Sequence, residues 1–96
     1  MKQFRLSWEA SADLDEICEY YALDGPKAEQ TVRLKILEAC RLLADNPDLG
    51  HRRADLTNKS LRFWPVGRHL VIYDPRRQPL EVVRVLDAAR DIPSLL

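Results

Sequence analysis

Seven cationic side chains fall within one short stretch: Arg52, Arg53, Lys59, Arg62, Arg68, Arg76 and Arg77, against only Asp55 and Asp74. Arginine at that density suits an anion, either the phosphates of a nucleic acid or the carboxylates of an acidic protein segment. A solvated basic surface gives the same pattern, because arginine is common on any surface. The whole chain has a formal net charge of zero. Sequence-independent affinity for nucleic acid scales with the phosphates neutralised, so a dedicated nucleic-acid binder is disfavoured. His51, His69 and Tyr73 could move protons, although a packing or surface role is the ordinary one for each. Two histidines and two cysteines without paired spacing make no metal site, and nothing in the chain implies a cofactor.

The zero charge hides a division. Residues 1–50 hold six basic and ten acidic side chains, and residues 51–96 hold nine and five. At 96 residues the chain is read as one domain, 1–96, that buries about two-thirds of its unfolded surface. No apolar run approaches the length a bilayer needs and no leader precedes the first element, so a cytoplasmic protein is expected.

Phe4 and Leu6 alternate with polar neighbours, which predicts a short first strand. Ser7 is placed to cap a helix whose apolar stripe is Ala10, Leu14, Ile17 and Tyr21, and whose other face is acidic: Asp13, Asp15, Glu16 and Glu19. Asp24-Gly25-Pro26 ends that helix and starts a second. The second carries Ala28, Val32, Ile36, Ala39, Cys40 and Leu43 on one side and stops at Asn46-Pro47. So short a link predicts an antiparallel hairpin. Cys18 and Cys40 would then lie on the order of 12 Å out of step, too far for a disulfide.

An irregular stretch from Asp48 to Ser60 leads to strands expected at roughly 60–65, 68–73 and 80–87, with turns at 64–67 and 74–79. On the second strand His69, Val71 and Tyr73 oppose Leu70 and Ile72; on the third, Val83 and Val85 oppose Leu80, Val82 and Leu86. Both faces are thus partly apolar, whereas a half-exposed sheet should read apolar on one face only. The hairpin can cover one face. The other needs a second cover, and another protein is a candidate for it. The fold class expected is α+β: an N-terminal strand, then an antiparallel helical hairpin packed on one face of a C-terminal antiparallel sheet.

Several strings along the chain can be matched together: Ala12-Asp13-Leu14-Asp15-Glu16-Ile17, Asn46-Pro47 with Gly50, Arg53-Ala54-Asp55-Leu56, Leu61-Arg62, Val66-Gly67-Arg68 with Ile72-Tyr73, Val83-Arg84-Val85-Leu86, and Ala89-Arg90-Asp91-Ile92. In this order and spacing the chain resembles the ParE/RelE superfamily, the toxic halves of bacterial type II toxin–antitoxin pairs. The resemblance implies the fold just described and a partner, a ParD-like ribbon-helix-helix antitoxin that forms a hetero-oligomer with the toxin and wraps it. The antitoxin would carry operator recognition, so this chain would meet operator DNA only through it. The antitoxin-binding set expected on the uncovered sheet is Leu70, Ile72, Val82, Arg84 and Leu86.

The superfamily has two chemistries, and fold does not choose between them. RelE-like members cleave mRNA on the ribosome, which needs cations at the phosphate and groups that move protons on either side. Arg53, Arg68 and Arg84 would be the catalytic set for that reading. Where a proton shuttle is wanted near the end of the last strand, the chain has Asp87, ionised at neutral pH and repellent to phosphate. The ParE-like branch, which poisons DNA gyrase without cutting anything itself, is therefore favoured, and the chain is expected not to be an enzyme. Its target-binding set is then Arg84, Arg90, Asp91 and Ile92, for which a local Arg90–Asp91 ion pair is the structural alternative. Truncation after Leu86 is expected to spare antitoxin binding more than toxicity. A degenerate toxin, retained only to bind antitoxin as co-repressor, is the third reading.

Overall fold

The computed structural model describes residues 2–96. In chain order its elements are β1 (Phe4–Leu6), α1 (Trp8–Ala22), α2 (Pro26–Asp45), β2 (Arg62–Val66), β3 (His69–Asp74), β4 (Leu80–Asp87) and a terminal 3-10 turn, Ile92–Leu95. The four strands form one sheet in the order β1-β4-β3-β2. β2, β3 and β4 pair antiparallel, while β1 lies parallel to β4, with Phe4 opposite Leu80 and Leu6 opposite Val82.

Ser7 joins the first strand to the first helix. Its hydroxyl accepts from the Ala10 amide at 2.9 Å and donates to the Val83 carbonyl at 2.6 Å, so the cap also anchors α1 to β4. Gly25, at φ 108°, makes the bend between the helices, where a side chain would be strained. Ala10, Leu14 and Cys18 of α1 and Ile36, Cys40, Leu43 and Ala44 of α2 pack on Val71, Tyr73, Leu80, Val82 and Val85 of the sheet. Both cysteines are free and buried, and burial pushes the Cys40 thiol up to about 12.

The other face of the sheet corrects an expectation. Leu61, Phe63, Leu70, Ile72 and Leu86 are covered by the chain itself: by Ile92, Leu95 and Leu96 from the C-terminal segment, and by Leu56 from the long loop. Ile92 is 1% exposed. Two apolar layers therefore sandwich the sheet, and no partner is needed to close it. A chain this small can hold two cores because a four-residue turn supplies most of the second cover.

Two further expectations shift. The tight turn falls at Gly67, φ 60°, rather than across 64–67, and Pro65 lies inside β2 opposite Leu70. β2 is an edge strand, where a missing N–H costs no ladder bond. In β4, Tyr73 pairs with Val82 and Ile72 with Arg84, leaving Val83 as the extra residue of a bulge. The bulge resets the alternation. Leu80, Val82 and Val85 all face the helices, and Val83 joins Leu86 on the far side.

Gly50 explains the Asn46-Pro47 to Gly50 string. Its amide donates to the Tyr73 hydroxyl at 2.8 Å, and that hydroxyl donates to the Pro47 carbonyl at 2.7 Å. A Cβ on Gly50 would stand 2.5 Å from the Tyr73 oxygen. Tyr73 is thus a fully buried strut that pins the loop after α2, not a proton donor at a site.

Candidate functional site

Two clefts meet where the hinge of the helical hairpin overhangs the Gly67 turn. The first, about 320 Å³, lies between α1 and the ends of β3 and β4, lined by Asp13, Glu16, Ile17, Tyr20, Asp87 and Arg90 among others. The second, about 520 Å³, lies between the first turns of α2 and the β2–β3 turn, where Ala28, Val32 and Val66 give it an apolar floor. Tyr21, Arg68 and His69 line both, so the two form one bent groove with those three side chains at its elbow.

The sequence places the elbow there for simple reasons. Tyr21 and Val32 continue the apolar stripes of their helices beyond the last strand the hairpin covers, so they are only half-buried. His69 begins β3 directly after the Gly67 turn and packs edge-on to Tyr21, centroids 6.2 Å apart. Burial holds the His69 imidazole below its ordinary value, against the pull of Asp87 and with the push of Arg68.

Charge divides the groove. The first cleft carries three carboxylates, Asp13, Glu16 and Asp87, with Arg68 and Arg90 as its cations. The second carries Lys27, Lys35 and Arg68 and no carboxylate. Arg68 is tied to Asp87 at 2.7 Å, and Asp87 also accepts from the Ala89 amide at 2.8 Å. That amide, together with Arg68, holds the Asp87 carboxyl below the usual carboxylate range. Asp87 is therefore a fixed anion that locks the end of β4 to the start of β3.

The residues singled out from sequence scatter. Arg53 is on the loop, in a bidentate pair with Asp55 at 2.8 and 2.9 Å. Arg68 is at the groove elbow. Arg84 is spent on Asp13, with contacts of 2.7 and 2.9 Å, and on the Leu95 carbonyl at 3.1 Å. The candidate catalytic set is thus not gathered at one point, and each member already faces a carboxylate. Of the expected antitoxin-binding set, Leu70, Ile72 and Leu86 lie under the C-terminal cover, Val82 faces the helices and Arg84 bonds Asp13. Of the target-binding set, Ile92 is core, whereas Arg90 and Asp91 are exposed. Arg90 and Asp91 make no ion pair with each other, and the Arg90 side chain points no charge at a carboxylate within bonding distance among the described residues.

Asp13 departs most from expectation. Read as part of a solvated acidic face, it is 6% exposed and accepts from Arg84 and from the Val85 amide at 3.0 Å. Lys27, Lys35, Val66 and Tyr20 were not singled out as site residues from sequence at all. The available signal was the apolar stripe running on to the hairpin bend, past the point where the strands can bury it.

Against this geometry, a family described as the ParE toxin of type II toxin–antitoxin systems, parDE, matches residues 4–92. The chain belongs to the ParE toxin family. It is the toxin component of a type II toxin–antitoxin system, and the family implies an antitoxin partner. A solved structure described as the chromosomal ParDE TA system from P. aeruginosa is similar in fold, with a TM-score of 0.76 and 19% identity over 91% of this chain and 96% of that one. No curated protein matches the chain. As in the ParE/RelE-like fold expected, a strand, a helical hairpin and a sheet follow in order. No helix among the described residues is long and apolar enough to cross a membrane.

Proposed function

We propose that this ParE toxin works as a binding module in the cytoplasm: it acts on DNA gyrase without performing chemistry, and a ParD-like ribbon-helix-helix antitoxin neutralises it. The observation that carries the non-enzymatic reading is the pairing of Arg53, Arg68 and Arg84 with Asp55, Asp87 and Asp13. A phosphorane needs several cations converging on it, and these three lie apart, each oriented by its own carboxylate. The carboxylates of Glu16 and Asp87 beside His69 would in addition repel a phosphodiester.

The groove supports the antitoxin half of the reading. Its larger arm pairs an apolar floor with a rim of Lys27, Lys35 and Arg68, which suits an amphipathic acidic segment of the partner. This placement replaces the sheet face as the docking surface. Arg90, exposed at the mouth of the smaller arm, remains the leading contact for the target.

The ribosome-dependent ribonuclease is the second reading, favoured by one observation: His69, Tyr21 and Arg68 share the elbow. The deciding experiment is a gyrase cleavage assay on supercoiled plasmid with ATP, using toxin alone and toxin with its cognate antitoxin. Linear DNA that forms with toxin and disappears with antitoxin is the expected result. Unchanged supercoiling and no linear DNA, from toxin that still binds antitoxin, would remove gyrase as the target.

A further inference from the structure

The basic stretch between Arg52 and Arg77 contributes only Arg68 to the groove. Three of its seven cations gather at the opposite end of β3 from Arg68, about 17 Å away along a six-residue strand. There Arg52, Arg62 and Arg76 line an open cleft of about 290 Å³ together with Ser60 and one carboxylate, Asp48. Arg62 is held in place by the carbonyls of Gly50 and Asp48, at 2.8 and 3.4 Å, and lies 3.9 Å from the Asp48 carboxylate, with its side chain 27% exposed. Arg76 spans Asp74 with two bonds of 3.1 Å and stays largely exposed. Arg52 has no hydrogen-bonding or carboxylate partner among the described residues. Counting Arg53, Lys59 and Arg77 nearby in sequence, six cations meet Asp48, Asp55 and Asp74, while Glu81, opposite Asp74 in register, is paired with Arg5.

We propose that this cleft binds the sugar–phosphate backbone of duplex DNA. The zero net charge argued against nucleic acid only while the charge was taken as uniform. The fold separates it, placing Glu16, Asp13 and Asp87 at the far end of the strand from the Arg52 cleft. Duplex is favoured over single strand because no aromatic ring lines the cleft, and single-strand sites are built on stacking platforms. A hydroxyl and fixed guanidinium forks without base-reading partners are the equipment of phosphate contact, which gives affinity without sequence preference. A toxin that touches DNA directly would be held beside any DNA-bound target. The inference stands apart from the gyrase reading, which the plasmid assay tests separately.

The test is fluorescence anisotropy of a labelled duplex of about 20 base pairs, titrated with the full chain between about 50 and 200 mM salt. Three phosphate contacts predict a slope of log K against log salt of about −2.7, falling to about −1.8 in Arg52→Ala. Arg52 makes no bond within the fold, so circular dichroism should be unchanged. Between those two salt concentrations the parent should lose about 40-fold in affinity and Arg52→Ala about 12-fold. Lys35→Ala, at the other end of the molecule, should leave both quantities unchanged. An unaltered slope in Arg52→Ala, an equal loss in Lys35→Ala, or tighter binding of a single-stranded RNA of matching length would each overturn the proposal.

Discussion

Asp13 of α1 and Arg84 of β4 form a two-bond ion pair, 2.7 and 2.9 Å, with side chains only 7% and 18% exposed. The same guanidinium donates to the Leu95 carbonyl, and the same carboxylate accepts from the Val85 amide. β1 stops pairing with β4 at Val82, so beyond that point the edge of β4 is open. Arg84 passes across this edge and ties the helical layer to the C-terminal cover. Its charge is held by Asp13 rather than offered to a ligand, and the Asp13 hydrogen bonds raise its pKa further.

Removing one partner leaves the other charge poorly solvated. Asp13→Ala should destabilise the fold by about 3–5 kcal/mol, a large share of the stability of a domain this small. Asp13→Asn, which can still accept from Val85, should cost less. Urea unfolding of both variants and of Arg84→Ala, with the double variant, closes the cycle; a coupling near zero would contradict the clamp.

Gly50→Ala drives a methyl into the Tyr73 ring and hydroxyl, where the loop has no room. A loss of about 1–3 kcal/mol is expected, with the denaturant midpoint lowered and the slope unchanged. Tyr73→Phe should cost a comparable amount by leaving the Gly50 amide and Pro47 carbonyl without their partner.

The C-terminal segment is structural. Ile92→Ala should cost about 2–5 kcal/mol, as for other buried isoleucines. Truncation after Leu86 strips the cover from Phe63, Leu70 and Ile72, so it should raise binding of a hydrophobic dye and lose antitoxin binding and toxicity together. Loss of toxicity with antitoxin binding spared, the outcome expected from the sequence, would count against a cover shared by the strand end and the apolar face. Arg90→Ala is the cleaner probe of the target, with toxicity reduced and thermal unfolding unchanged.

His69 sets a pH response. Its folded pKa lies below the ordinary 6.5 because burial disfavours the charged ring. The unfolded chain therefore binds the proton first, and the stability this confers is full above pH 6.5 and falls as pH drops towards the folded value. The facing groups are Arg68, Asp87 and Tyr21. Asp74, lowered by its hydrogen bonds from Arg76, and Asp87 lose their contributions only at more acidic pH. Unfolding midpoints of His69→Gln against the parent should diverge above pH 6.5 and converge below it. Parallel curves would count against this account.

What the sequence determined by itself was local. Helix starts, the hairpin bend and the strand runs follow from caps, glycine, proline and apolar period, and these act over a few residues. Asn46-Pro47 with Gly50 was visible as a string, and its reason was not, since Tyr73 lies far along the chain. Tertiary structure alone decided what covers the second sheet face, where the bulge resets β4, and which carboxylate each arginine meets. Each of those depends on contacts across long separations, such as 71 residues between Asp13 and Arg84. Residue type supplied the charges, but only packing fixed which were spent on the fold and which, like Arg52 and Arg90, were left facing outward.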